Sequence, residues 1–303
     1  MVQFKTKFFR PEHGPVVALV QWDSGRLNVL SRAALAELRL VMRAINEYGQ
    51  DFPLTAVILT GNDKGLGAGA DVKELFAASP YDLEKFISEA HAIFTAIETS
   101  PVPWIAAVDG FCLGGCLELA LACSVIIGSQ SSRFGLPEVT LGIIPGAGGT
   151  QRLPRRVGMN TALNFILSGE MVKGTGALTN HLIDRLAMGE PVADAVKQFI
   201  TDELPTFVSP KTARVAVENP KGLREETARE ISKILLPHHR LAAMVAMDTM
   251  LASAPKTLAE ALKFEQKNFL LIATTPTARA AMQAFLDKSQ AKAAPVEAPT
   301  ATT

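Results

Sequence analysis

Two habits of apolar spacing alternate along the first two thirds of this chain. Short β-branched runs closed by turn residues recur: VVALVQWD before Ser-Gly, LTAVILTGN closing on Gly and Asn, VPWIAAVDGFCLGG entering a glycine turn, and SVIIGS. Each predicts a strand. Between them the spacing becomes helical. SRAALAELRLVMRAINEY carries apolar residues at intervals of three and four behind a capping Ser31, which predicts a helix starting there. In YDLEKFISEAHAIFTAIE, residues Leu83, Phe86, Ile87, Ala90, Phe94 and Ile97 share one helical face, a stripe suited to the core or to one wall of a pocket. CLELALAC predicts a short buried helix. Repeated strand, loop and helix units imply an α/β layered fold.

Past about residue 190 the strand signals fade. ADAVKQFITDEL, EETAREISKILL, HHRLAAMVAMDTMLASA and TLAEALKFEQKNFLLIA all read as helices. AKAAPVEAPTATT is biased toward Ala, Pro and Thr, with one Val as its only large apolar residue, too little to order itself. The predicted organisation is a core over 1–195, a helical region over 196–290 and a floppy tail over 291–303.

Composition narrows the function classes. With 303 residues the chain can bury a large core without disulfide staples. Its 30 basic and 30 acidic residues cancel. No overall field draws it to nucleic acid or an anionic membrane, so an anionic ligand has to be held by a local site. Cys112, Cys116 and Cys123 lie in one apolar stretch, an odd number suited to reduced, buried thiols and a cytoplasmic setting. The opening residues lack the apolar core and cleavage site of a signal peptide, and no apolar run approaches membrane-spanning length, so a soluble protein is expected.

The chemistry gathers around two acids. Glu118 interrupts the apolar helix CLELALAC directly after Gly114-Gly115, where burying a carboxylate is costly unless it has a task. Glu138 follows Pro137 in RFGLPEVTLGIIPGAGG, flanked by apolar residues; alone it reads equally as an acid opening a helix. The Gly-Gly turn lets a peptide N–H at a helix start approach a ligand closely, an oxyanion-hole element, and GAGAD (67–71) offers a second. Neither GLGAGAD nor PGAGGTQ fits the dinucleotide fingerprint, and there is no phosphate-binding loop with its Lys. Cys112 and Cys116 lack the His partners of a metal site and read as packing. His238 and His239 read as a solvated turn.

Taken together, GAGADVKEL, AAVDGFCLGGCLELALAC and FGLPEVTLGIIPGAGGTQRLPR resemble the crotonase superfamily of enoyl-CoA hydratases and isomerases, over a match from about Val16 to Lys288. The resemblance implies a spiral of repeated ββα units with a C-terminal helical appendage. It implies that the peptide N–H groups of Ala70 and Gly115 form the oxyanion hole and that Glu118 and Glu138 are the catalytic acid/base pair. Gly146 then helps hold the reacting water. Ala68 and Lys73 fall where the coenzyme A is met, and Phe285 and Lys288 where a closing helix covers it. The helical region is similar to that of the hydratase part of multifunctional β-oxidation proteins. One departure stands out: Cys116 occupies a position that is often a third Gly, where it would tighten the acyl pocket.

A 2-enoyl-CoA hydratase is thus the expected function, with Glu118 activating water and Glu138 donating the proton at C2. Its substrate is an acyl-CoA; coenzyme A enters as part of that substrate, and no metal or separate cofactor is implied. Isomerisation of a 3-enoyl-CoA, for which the Glu138-type acid suffices, is the nearest rival. A non-catalytic acyl-CoA-binding scaffold is the third reading. The resemblance implies a homotrimer or hexamer, with a monomer left open.

Overall fold

The computed structural model describes residues 4–10, 14–25, 27–207, 222–234 and 236–293. The chain opens with an antiparallel pair, β1 (Phe4–Phe9) and β2 (Val17–Trp22), and continues through α1 (Arg32–Asp51), capped by Ser31, whose side chain accepts from Ala34 N. Three similar turns of a spiral follow. The first holds β3 (Ala56–Thr60), β4 (Gly65–Gly67), α2 (Val72–Ala77) and α3 (Pro80–Glu98). The second holds β5 (Trp104–Val108), β6 (Phe111–Leu113) and α4 (Gly115–Ala122). The third holds β7 (Val125–Ser129), β8 (Arg133–Gly135), a 3-10 turn (Pro137–Leu141), α5 (Gly149–Val157) and α6 (Met159–Ser168). The core closes with β9 (Val172–Lys173), α7 (Gly174–Thr179) and β10 (Arg185–Ala187).

Each turn of the spiral lays one strand in each of two sheets. The larger sheet runs β1-β2-β3-β5-β7-β10, parallel from β2 onward; the smaller runs β4-β6-β8-β9, with β9 antiparallel. VPWIAAVDGFCLGG, predicted as one strand, is therefore two strands in different sheets. The break falls at Gly110, whose φ of +100° suits glycine and where a Cβ would collide with the Lys64 backbone. All five residues of β5 are buried because both faces are covered. Trp104, Ala106 and Val108 face the main core, while Ile105 and Ala107 face a second cluster with Val196 and Phe199.

After β10 the described chain is helical: α8 (Val192–Gln198), extended by a π turn over Phe199–Glu203, then α9 (Leu223–Ser232), α10 (Pro237–Ser253), α11 (Leu258–Ala273) and α12 (Pro276–Ala293). These helices return over the core. Helix α11 lies against α3 and α5, α10 against α5 and α6, and α12 against α2, where Arg279 donates to the Phe76 and Ala78 carbonyls. Two expectations are corrected here, and one element is added. Helix α12 runs to Ala293, beyond residue 291 where a tail was expected, because Ala278 and Met282 anchor its face; residues 294–303 lie outside the described residues. His238 and His239 form the first turn of α10, half-buried, and the His239 ring is held by the Leu167 carbonyl at 2.8 Å. FKTKFF, passed over in the sequence, is strand β1, with Phe4 stacked on Trp22. Among the described residues no helix is long and apolar enough to cross a membrane.

Candidate active site

The site lies where the loop after β4, the start of α4, the 3-10 turn and the loop before α5 converge. Ala70, Gly115, Glu118, Glu138 and Gly146 all line one cavity, closed by apolar side chains that include Phe86, Ile87 and Phe269. The space they enclose, about 30 Å³, has room for a water molecule and none for an acyl chain.

Backbone pairing leaves the two expected donors free to face it. In the parallel bridge between Leu30 and Ala70, Leu30 N donates to Gly69 O and Asp71 N to Leu30 O, so the N–H of Ala70 itself points to the opposite side. Gly115 is the first residue of α4, where an N–H has no partner within the helix. The two positions are neighbours: a Cβ on Gly115 would stand 3.7 Å from Ala70 N. Gly114, at φ +51° and ψ −132°, makes this approach possible, and a Cβ there would lie 2.9 Å from Glu138 Oε1.

Glu118 and Glu138 flank this turn in unequal surroundings. Helix α4 is buried along its whole length, so the Glu118 carboxylate is only 3% exposed. Its Oε1 accepts from Ala147 N at 2.8 Å and from Gly149 N at 2.7 Å. Glu138, in the first turn of the 3-10 helix behind Pro137, is half-buried as a residue, yet its Oε2 is fully covered and has no hydrogen-bond partner. Burial pushes the Glu118 carboxyl well above its ordinary value, the charges of Glu138 and Glu265 push it further, and the Gly149 and Ala147 N–H groups pull it back. Burial likewise pushes Glu138 up to about 8, Glu265 adds to the rise, and Glu138's own peptide N–H opposes it. Two such acids share their protons as a pair. The two N–H groups on Glu118 Oε1 favour its carboxylate form, against the burial that raises both acids.

A third buried carboxylate, Glu265 on α11, was not foreseen. It is fully buried, accepts from Gly148 N (2.7 Å) and Thr150 N (3.0 Å), and meets Thr150 Oγ1 (2.5 Å) and His91 Nε2 (3.1 Å). Lys263 and Lys267 around it in sequence suggest a solvated helix face. A signal was nonetheless present, since Ala261, Leu262, Glu265, Phe269 and Ile272 fall on one stripe, and all are buried.

The remaining expected residues stand apart from the cavity. Ala68 is half-buried in the loop after β4, with its N–H on Asn28 O, and Lys73 is exposed in the first turn of α2. Phe285 and Lys288 are exposed on α12. Cys116 does not tighten this cavity. It is fully buried beneath the glycine loop, 3.9 Å from Gly69 O, and a Cβ on Gly67 would approach its sulfur to 2.5 Å. Burial raises its thiol to about 12, which leaves it unreactive.

A two-sheet parallel spiral with paired acids beside two free peptide N–H groups is a site of the crotonase type. The chain belongs to the enoyl-CoA hydratase/isomerase family, whose model matches residues 12–204. It is 33% identical over 269 residues to a probable enoyl-CoA hydratase of Rhizobium meliloti, covering 88% of this chain and 89% of that protein. It is 37% identical over 209 residues to the enoyl-CoA isomerase/hydratase fer4 of Mycosarcoma maydis, covering 67% and 76%. Among solved structures, the enoyl-CoA hydratase from Bacillus anthracis is 28% identical with a TM-score of 0.56, over 94% of this chain and 96% of that one. The enoyl-CoA hydratase from Bacillus halodurans shares the fold, with a TM-score of 0.67 at 17% identity over 93% and 99% of the two chains.

Proposed function

We propose that this protein hydrates 2-enoyl-CoA thioesters to 3-hydroxyacyl-CoA. The observation that carries this reading is one cavity that brings two buried acids beside the N–H groups of Ala70 and Gly115, with Glu118 held by two peptide N–H groups and Glu138 raised by burial to about 8. Glu118, as carboxylate, takes a proton from water while the water oxygen bonds to C3. The thioester oxygen gathers the enolate charge against the N–H groups of Ala70 and Gly115, and Glu138 delivers its proton to C2. Water and proton arrive from the same side. One acid gains the proton that the other loses, so the pair keeps its charge. Gly146 helps hold the water, Ala68 and Lys73 meet the coenzyme A, and Phe285 and Lys288 on α12 cover it.

Isomerisation of a 3-enoyl-CoA is a second reaction the site supports: Glu138 in its carboxylate form takes a proton from C2 and returns it at C4, while the N–H groups of Ala70 and Gly115 hold the enolate charge. Turnover of crotonyl-CoA and of a 3-enoyl-CoA by three proteins tests both. Wild type hydrates crotonyl-CoA; Glu118→Gln loses on the order of 10²-fold or more in hydration and less in isomerisation; Glu138→Gln loses both. Equal losses in both reactions for both variants overturn this division of roles. A wild type that binds acyl-CoA tightly and turns over neither substrate is a scaffold instead.

A further inference from the structure

Four consecutive peptides at the start of α5 donate alternately to two different buried carboxylates. The N–H groups of Ala147 and Gly149 go to Glu118; those of Gly148 and Thr150 go to Glu265. Glu265 reaches this loop from a helix more than a hundred residues further along the chain, and the mechanism above gives it no task.

We propose that Glu265 is a positioning residue for the acid/base pair: by holding the Gly148 and Thr150 peptides it fixes the tilt of the two interleaved peptides that hold Glu118 as a carboxylate. This inference rests on the hydratase reading for its consequence in turnover and on the loop geometry for its existence.

The loop has no slack. Gly148 sits at φ +110°, and a Cβ there would collide with the Arg152 guanidinium. That guanidinium is itself buried, donates to Ala147 O at 3.1 Å and pairs with Glu98 at 3.0 Å. Gly149 could not carry a side chain either, since a Cβ would lie 2.9 Å from Glu118 Oε1. With both peptide faces committed, loss of the Glu265 carboxylate disturbs two buried N–H groups, since a glutamine there keeps one acceptor oxygen and sets an NH2 against the other. Recovering partners for them requires the loop to rotate, and rotation takes the neighbouring N–H groups off Glu118. Glu265 is braced in turn: His91 on α3 contacts Oε1, and the Thr150 hydroxyl contacts Oε2 while accepting from Gln151, whose own oxygen accepts from Ser253 on α10.

Charge works in the same direction. The ionisable groups facing Glu265 are His91 on α3, Glu118 on α4, Glu138 on the 3-10 turn, and Arg155 on α5. Its negative charge raises both members of the acid pair. Neutralising it lets the pair ionise at lower pH.

Glu265→Gln tests the inference. Its kcat for crotonyl-CoA falls on the order of 10–100-fold, as for a displaced catalytic group, while KM changes less than about threefold. The acid limb of the kcat profile moves to lower pH. Amide exchange quickens at Ala147 and Gly149, the peptides Glu265 does not touch. Thr150→Val keeps the peptide N–H and removes one brace, and is expected to lower kcat several-fold in the same sense. A folded Glu265→Gln with wild-type kcat, pH profile and exchange overturns the proposal. If that variant does not fold, wild-type kcat in Thr150→Val overturns it. Should the wild type turn over neither enoyl-CoA, the hydratase reading fails, and exchange at Ala147 and Gly149 in Glu265→Gln alone decides the clamp: unchanged protection refutes it.

Discussion

At the scale of single residues, two carboxyl groups beside one glycine turn are both raised by burial and are bonded differently. Glu118 sits at the end of two N–H donors, and Glu138 Oε2 sits against none. This arrangement has a stability cost whose sign can be stated. The Glu138 carboxyl has a folded-state pKa of about 8 against an ordinary 4.5. Its contribution is therefore fully present below about 4.5 and is lost as pH rises toward 8, because only the unfolded chain gives up the proton readily across that window. Glu138→Gln has no such titration. The melting temperature of wild type is thus expected to fall relative to that of Glu138→Gln between pH 5 and pH 8, followed by circular dichroism. Parallel curves for the two proteins would falsify the raised carboxyl. Both acids were legible in the sequence because each interrupts an apolar run. Glu265 was not, because Lys263 and Lys267 beside it look like a solvated surface until the stripe through Ala261 and Phe269 is counted.

At the scale of elements, the proposed oxyanion hole is made by where a helix begins. Gly115 opens α4, so its N–H is owed to no carbonyl within the helix, and proline is tolerated at such first positions. Gly115→Pro accordingly deletes one donor with the helix intact. A Cβ at this position meets the end of the Leu30 side chain at 3.0 Å. Crotonyl-CoA hydration by this variant is expected to fall about 10²–10³-fold in kcat with far-ultraviolet circular dichroism unchanged. Full activity in a folded Gly115→Pro would place the hole elsewhere. The long elements were readable from spacing: the Ser31 cap of α1 and the apolar stripe of α3 stand as expected. The short strands were not. β4, β6, β8 and β9 are two or three residues each, below the length at which alternation shows, and they exist because the turns of the spiral bring them side by side.

At the scale of the whole molecule, the helices after the core complete the pocket that the core begins. The acids and the N–H groups come from the spiral, but Phe269 on α11 closes the cavity: a Cβ on Gly146 would stand 2.6 Å from its ring and 3.0 Å from Ile87 of α3. We expect the acyl chain of the proposed substrate to lie along Phe269, between α3 and α11. These two helices are joined by polar contacts, Gln266 to Ser88 Oγ at 2.7 Å and to Glu84 O at 3.2 Å at the surface and His91 to Glu265 at 3.1 Å beneath. In the proposed hydratase the Phe269 ring, which lines the cavity, sets how deep the chain can go. Phe269→Ala removes a buried ring at a cost of about 3–5 kcal/mol in stability, and it opens apolar volume in the cavity lined by Glu118 and Glu138. Across a ladder of 2-enoyl-CoA substrates, the variant's kcat/KM is expected to move toward longer chains by on the order of tenfold relative to crotonyl-CoA, since each added buried methylene contributes about 0.8 kcal/mol. A folded Phe269→Ala with the wild-type order of preference would show that the chain leaves the site by another route, and that α11 shapes the acids through Glu265 alone.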